Sequence, residues 1–314
     1  MASAEYPLRV AILGASGIGR VHARIFSEQG ANVCAVLGSS DASAERAAQG
    51  VGSIVGRRPE SFSDLESLIL QARPQAVAIC TPPHLHAKQL CFVFDRGLPA
   101  FCEKPLVQID PQDQPTFDRH LNMVVGHPNR RLFVNTSNVT FMEAVIQRLE
   151  LPKQASRFSF RFATRGTHKG RDIGFDLSPH GFSLMLPLFG KRPVDRPWER
   201  TSENAYQCGF TYGACQVTFD FEEDPNGPKG FAFAIDGRTF TRVQEGSGPT
   251  YRVFLQDGDS GERFEVEDPF RAYIRNFRRY CQDGAAALAD EGLQAASIMS
   301  AGWELFSGLA REGG

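Results

Sequence analysis

Residues 8–13 (Leu-Arg-Val-Ala-Ile-Leu) form a short apolar, β-prone run that leads straight into Gly14-Ala15-Ser16-Gly17-Ile18-Gly19. Beyond the glycines, Val21, Ile25 and Phe26 recur at helical spacing. Strand, glycine turn and helix in immediate succession leave few folds open. The turn brings the backbone close to a ligand, and the helix start offers unpaired N–H groups and the positive end of its dipole. Gly14, Ser16, Gly17, Ile18 and Gly19 are therefore candidates for holding a pyrophosphate, as in a dinucleotide-binding βαβ unit. An ordinary βα turn is the plain alternative, and the usual central glycine is Ser16 here, with Gly17 beside it. A second strand pattern at 32–38 favours the dinucleotide reading.

That second strand ends in Ser39-Ser40. NAD-preferring sites carry an acid here to bond the ribose 2′-hydroxyl, and the first acid, Asp41, arrives late. Ser39 and Ser40 can donate to a 2′-phosphate without a carboxylate to repel it, so the expected cofactor is NADP, with NAD as the alternative. Arg46 is either a phosphate partner or a solvated helix charge.

The alternation continues. Ser63-Asp64-Leu65-Glu66 has the S-x-x-E form of a capping box, Leu65, Leu68 and Ile69 make an apolar stripe, and Pro74 closes that helix. Ala76–Cys80 reads as a buried strand running into Thr81-Pro82-Pro83-His84-Leu85-His86, whose prolines make a stiff loop. His84 and His86 are expected to line the cofactor cleft. A helix at about 86–96 leads to a last apolar run, Leu98–Cys102, which delivers Glu103-Lys104-Pro105. In a parallel sheet, ligands bind beyond the carboxyl ends of the strands. Taken alone, Lys104 would be a surface lysine; in this sequence it stands where chemistry occurs. The fold class is α/β, an N-terminal doubly wound parallel sheet over residues 1–124, followed by a β-rich part over 125–314.

The glycine turn, the Thr81–His86 loop and Glu103-Lys104-Pro105, in this order and spacing, resemble the glucose-fructose oxidoreductase / inositol dehydrogenase (Gfo/Idh/MocA) family. The resemblance implies an NAD(P)-dependent enzyme with an N-terminal Rossmann domain, and adds Thr81, Pro82, His86, Glu103 and Lys104 to the cofactor-binding set. It implies a C-terminal α+β domain on a mainly antiparallel sheet, whose face makes a homodimer or homotetramer. Asp290-Glu291-Gly292-Leu293-Gln294-Ala295 resembles the family's closing helix, expected to pack back on the first domain. After Leu106 the chain departs from the family pattern: Pro111 and Pro115 shorten the next helix, and Val139-Thr140-Phe141 or Asn129-Arg130-Arg131 stands where the family often has an arginine.

In the second part, Phe158, Phe160 and Phe162 alternate with polar residues, the pattern of a sheet with one covered face. Similar runs lie at 206–212, 215–223, 230–243 and 251–267, with Asp236-Gly237 a hairpin signal. Between them, Asp176-Leu177-Ser178-Pro179-His180 resembles the family's D-x-x-x-H segment, which implies His180 as proton donor or acceptor. Ser178 can cap a helix with Pro179 at its first position. That would put His180 in the first turn, where the dipole disfavours imidazolium; with an earlier helix start, Asp176 and His180 share one face. Lys104 would bond the substrate hydroxyl and stabilise alkoxide charge, and Asp176 would orient substrate or His180. His168, Lys169 and Arg171 form a polar loop that is either solvated or reads a polar substrate. Pro187 should kink or end the helix that follows.

Composition narrows the function. The 314 residues carry a net charge of −2, which gives no field to gather nucleic acid or anionic membrane. Seven cysteines without paired spacing suggest reduced thiols, and with no C-x-x-C or H-x-x-x-H cluster no metal site is expected; the protein is expected to be cytoplasmic, with no room for a signal peptide before Leu8. None of the six tyrosines has lysine four residues on, which sets aside the short-chain dehydrogenases. The expected substrate is a sugar, cyclitol or related polyol. The rival is a nucleotide-binding sensor of the same fold, which would need neither Lys104 nor His180.

Overall fold

The structure is a computed structural model that describes residues 7–151, 154–247, 250–283 and 291–312. Asp290 of the expected closing helix and the residues before Pro7 lie outside this set. The chain divides into two compact units, and its path passes between them more than once: residues 1–108, 115–135 and 270–296 make the first, and 109–114, 136–269 and 297–314 the second.

The first unit holds six parallel strands: β1 (Arg9–Leu13), β2 (Asn32–Leu37), β3 (Glu60–Phe62), β4 (Ala76–Ile79), β5 (Ala100–Cys102) and β6 (Leu132–Val134), in the order β3-β2-β1-β4-β5-β6. This is the doubly wound order, which reverses between β1 and β4 and opens a crevice there. Helices α1 (Ile18–Glu28), α2 (Asp41–Val55), α3 (Leu65–Ala72), α4 (His86–Asp95) and α5 (Gln114–Val125) alternate with the strands. β1 and β4 are apolar and almost wholly buried because helices cover both faces of the sheet. Phe26, Phe101 and Phe133 pack with Phe277 of α8 (Pro269–Asp283), ring centroids 5.6–6.2 Å apart.

One helix start differs from the capping box read in the sequence. Asp64, not Ser63, caps α3, its carboxylate accepting from Ser67 N at 2.7 Å. The Ser63 hydroxyl instead donates to Asp41. A shorter loop, Pro83–Leu85, makes one 3₁₀ turn before α4.

In the second unit, eight strands follow: β7 (Arg157–Thr164), β8 (Val194–Thr201), β9 (Ala205–Tyr212), β10 (Cys215–Glu223), β11 (Gly230–Ile235), β12 (Arg238–Glu245), β13 (Arg252–Asp257) and β14 (Arg263–Val266). Their order is β14-β13-β12-β11-β7-β10-β9-β8, antiparallel throughout except for the parallel β7–β10 pair. Asp236 (φ 49°) and Gly237 (φ 96°) turn the β11–β12 hairpin, as expected of a two-residue loop. Phe158, Phe160, Phe219, Phe221, Phe231, Phe233 and Phe240 alternate into one buried layer. Strand β8 has no alternating apolar signature. It carries Pro197 and a register shift between Asp195 and Trp198, both tolerated because it is an edge strand.

Helix α6 (Val139–Arg148) packs on α7 (Arg171–Phe189). Helix α7 begins seven residues before Ser178, so Ser178 is a buried interior residue and not a cap. Both Pro179 and Pro187 lie inside it, and the helix ends two residues past Pro187 at Gly190 (φ 62°). Its seat on the aromatic layer is close. A Cβ on Gly174 would lie 2.7 Å from the Tyr206 ring, and one on Gly181 would lie 2.4 Å from Phe219. The two glycines stand two turns apart on one face. At the other end of the chain, Phe306 of α9 (Glu291–Glu312) packs against Phe175, ring centroids 4.3 Å apart and planes tilted by 45°.

Overpacking a filled core costs about 1–3 kcal/mol. Gly181→Ala should therefore lower unfolding stability by that order, read as a drop in the urea midpoint at unchanged slope. A surface control, Gly258→Ala, should move it much less.

Candidate active site

The crevice at the β1–β4 reversal is a cleft of about 570 Å³ within the first unit. Gly14, Ala15 and Ser16 line it beside Thr81 and Pro82, and Leu37, Gly38, Ser39, Ser43 and Ser63 line it beyond the end of β2. The glycines are used as the sequence suggested. Gly14 (φ 77°) turns so closely past β4 that a Cβ would stand 2.7 Å from the Cys80 carbonyl. A Cβ on Gly19 would stand 2.2 Å from the Gly14 carbonyl, so α1 starts hard against the turn. Gly17 (φ 50°) completes the turn, and Ile18 opens α1, whose first turn carries no acid to cancel its positive end.

A dinucleotide fits these walls. The Ala15-Ser16 segment and the α1 start suit a pyrophosphate, Ser39, Ser43 and Ser63 suit a ribose, and Leu37, Ala47 and Leu85 offer apolar contact. Ser40 is occupied otherwise. Its side chain and backbone N–H form a reciprocal capping box with Ser43 at the start of α2.

His84 lines the cleft; His86 does not. The His86 ring is fully buried, with Nε2 2.7 Å from the Thr81 carbonyl and Nδ1 2.9 Å from the Pro105 carbonyl. Burial holds its pKa below the ordinary histidine value, against the pull of the two carbonyls. The neutral ring has one N–H, so it donates to one of these carbonyls and packs against the other, between the Thr81 loop and the Glu-Lys-Pro segment.

Glu103, directly after β5, also points inward. It is 6% exposed, bonded to His22 Nε2 on α1 and, at 2.7 Å, to Asn135 Nδ2 after β6. Its Oε2 accepts from the Lys104 amide at 3.2 Å. Burial disfavours its charge, but the bonds from His22 and Asn135 and the Lys104 ammonium outweigh this and hold the carboxyl below its usual range. Lys104 itself is half-buried at the carboxyl end of β5, joined to Pro105 by a cis peptide bond.

In the second unit, Asp176 and His180 lie four residues apart on α7, hence on one face. The helix-start argument for His180 does not apply, because it stands nine residues into the helix. Its ring meets the Phe162 ring edge-on at 5.2 Å, and its carbonyl accepts from Asn138 and Ser183. His168 Nδ1 lies 4.0 Å from Asp176 Oδ2 and 3.1 Å from Glu223 Oε2. Lys169 pairs with Glu203 and Arg171 with Glu199.

Residues 8–124 match a family described as an oxidoreductase family with an NAD-binding Rossmann fold, GFO_IDH_MocA. Over these residues the chain is similar to the Gfo/Idh/MocA family. The inositol 2-dehydrogenase of Arthrobacter sp. (strain FB24) is 35% identical over 101 residues, 32% of this chain and 28% of that relative's length. The inositol 2-dehydrogenase of Rhizobium meliloti (strain 1021) is 28% identical over 195 residues, 60% of this chain and 56% of its own. Across the whole fold, the chain is similar to the UDP-N-acetylglucosamine 3-dehydrogenase GnnA of Acidithiobacillus ferrooxidans. The TM-score is 0.71 at 15% identity, covering 97% of this chain and 98% of that one. The matched Gfo/Idh/MocA stretch includes the glycine turn, the Thr81 loop and Glu103-Lys104.

Sequence reasoning did not find His22, Asn135 or Glu223. Each is an ordinary polar residue in its own segment, and its role comes from a partner far along the chain: 81 residues for His22–Glu103 and 55 for His168–Glu223.

The lowered pKa of Glu103 fixes a sign. A carboxyl depressed in the folded state stabilises above its unfolded pKa, and that stability is lost as pH falls through the folded value. Wild type should therefore exceed Glu103→Gln in melting temperature at pH 7, with the gap shrinking once the pH drops below about 4.3. A gap that widens in acid would contradict the assignment.

Proposed function

We propose that the protein is an NAD(P)-dependent oxidoreductase that moves a hydride between nicotinamide and a carbinol or carbonyl of a sugar, cyclitol or related polyol. The observation that carries this reading is the pairing, in one unit, of a dinucleotide-sized cleft with Lys104 held at the end of β5. The Asp176/His180 face of α7 and the inositol 2-dehydrogenase relatives support it. In the oxidising direction Lys104 donates to the substrate hydroxyl and stabilises the charge growing on oxygen. His180 takes the hydroxyl proton, and Asp176 orients the imidazole or a neighbouring hydroxyl. When bound, the nicotinamide supplies the hydride acceptor, or the donor in reverse. The reading extends to a homodimer or homotetramer formed through the C-terminal sheet, whose outward β7 residues Arg157, Ser159 and Arg161 are exposed and polar.

General acid–base groups contribute about 10²–10⁴-fold. Lys104→Ala and His180→Ala should each lower kcat by that order, while NADPH or NADH still binds both variants, read by quenching, with a wild-type Kd in His180→Ala. Binding of either nucleotide without turnover of any polyol by wild type would instead favour a sensor.

Cofactor choice rests on Ser39. No acidic side chain lines the cleft among the described residues, and the Asp41 carboxylate is engaged by Ser63. NADP is therefore accepted, and Ser39→Asp should weaken NADPH at least about tenfold relative to NADH. Equal Kd changes for the two nucleotides would remove Ser39 from the ribose site.

A further inference from the structure

His168, Asp176 and Glu223 come from three different places: the loop after β7, the second turn of α7 and the last residue of β10. Each offers one ligand atom, and all three atoms lie within 4.8 Å of one another. We propose that this triad is a binding site for a single divalent cation of the Mn²⁺ or Zn²⁺ type.

The spacing is near that of a single ion: the three atoms lie within 4.8 Å of one another, and ligands about 2.1 Å from one ion stand at most about 4.2 Å apart, so binding draws them slightly together. Ligands about 2.1 Å from a metal and at right angles stand about 3.0 Å apart, and His168 Nδ1 lies 3.1 Å from Glu223 Oε2. Asp176 Oδ2, 4.0 Å from the same nitrogen, takes a wider position. One imidazole and two carboxylates are a borderline donor set, which Zn²⁺ and Mn²⁺ accept and soft metals do not. The charge also points this way. Glu223 is 1% exposed and faces a second carboxylate, so burial and Asp176 both push its pKa up. The nearby basic residues are committed elsewhere: Lys169 to Glu203, Arg171 to Glu199, and Arg165 to the Gly227 carbonyl. A divalent ion would cancel both carboxylate charges, which a neutral imidazole cannot.

The triad is held in place before any ion arrives. Glu223 pairs with Thr164 across β7–β10, and the His168 amide donates to its Oε2 at 2.8 Å. Gly166 passes so near the carboxylate that a Cβ there would overlap it. Three protein ligands leave coordination positions open. Asp176 is one helical turn from His180, so those positions could receive two vicinal hydroxyls of a polyol.

The test reads binding without turnover, so its failure leaves the proposed dehydrogenase activity untouched. Metal-stripped full-length protein is titrated with Mn²⁺, free ion being followed by electron paramagnetic resonance, and Zn²⁺ is then added as competitor. Wild type should bind one equivalent, displaced by Zn²⁺. His168→Gln and Glu223→Gln should each weaken binding at least about tenfold, while Glu203→Gln leaves it unchanged. His168 is half exposed, so its variant decides the matter if Glu223→Gln does not fold. Absence of saturable binding by wild type, or wild-type affinity in His168→Gln, would overturn the site.

Discussion

A carboxylate confined in the interior sets the geometry of the first unit. Glu103 has left water, which is tolerable only because His22, Asn135 and the Lys104 amide all bond to it. Those partners sit on α1, beyond β6 and on the next residue, so one side chain ties α1 to the ends of β5 and β6. From the other side, the His86 ring lies against the Pro105 carbonyl. The main chain at Lys104 is thus gripped on both flanks. Removing any one partner would strand a buried polar group, which costs more than the bond itself contributes.

The two units solve the burial problem differently. The parallel sheet is covered on both faces and needs unbroken apolar strands, so its residues carry little pattern beyond hydrophobicity. The second sheet has one covered face and therefore alternates, packing phenylalanines inward and leaving residues such as Arg157 and Arg161 outside. The candidate site residues lie at the ends of strands in both cases: Gly14, Thr81 and Lys104 in one, Glu223 and the loop after β7 in the other.

Local signals were legible in the sequence, and distant partnerships were not. The glycine turn, the βα alternation, the Asp236-Gly237 hairpin and the inward phenylalanines all follow from residues within one or two turns of each other. The start of α3 was misjudged by one residue because Ser63 and Asp64 are both good caps and only tertiary contact with Asp41 draws Ser63 away. The start of α7 was misjudged because Ser178-Pro179 has the local chemistry of a helix beginning, yet packing against the sheet carries the helix through the proline. Strand β8 hid because an edge strand can hold a proline and need not alternate strictly. The Glu103 partners and the His168–Glu223 contact join residues that no window of neighbouring positions contains.

The bare face of α7 has a consequence for how such a protein could change its substrate. With Gly174 and Gly181 pressed against Tyr206 and Phe219, the helix has no play: rolling or sliding it would drive backbone into aromatic rings. Asp176 and His180 are therefore like marks on a ruler, their separation fixed by helical pitch and their depth by two missing methyl groups. Divergence in what binds beside them would have to be written in the segment between β7 and α7, where His168 stands. The spacing of the two side chains would be inherited unchanged.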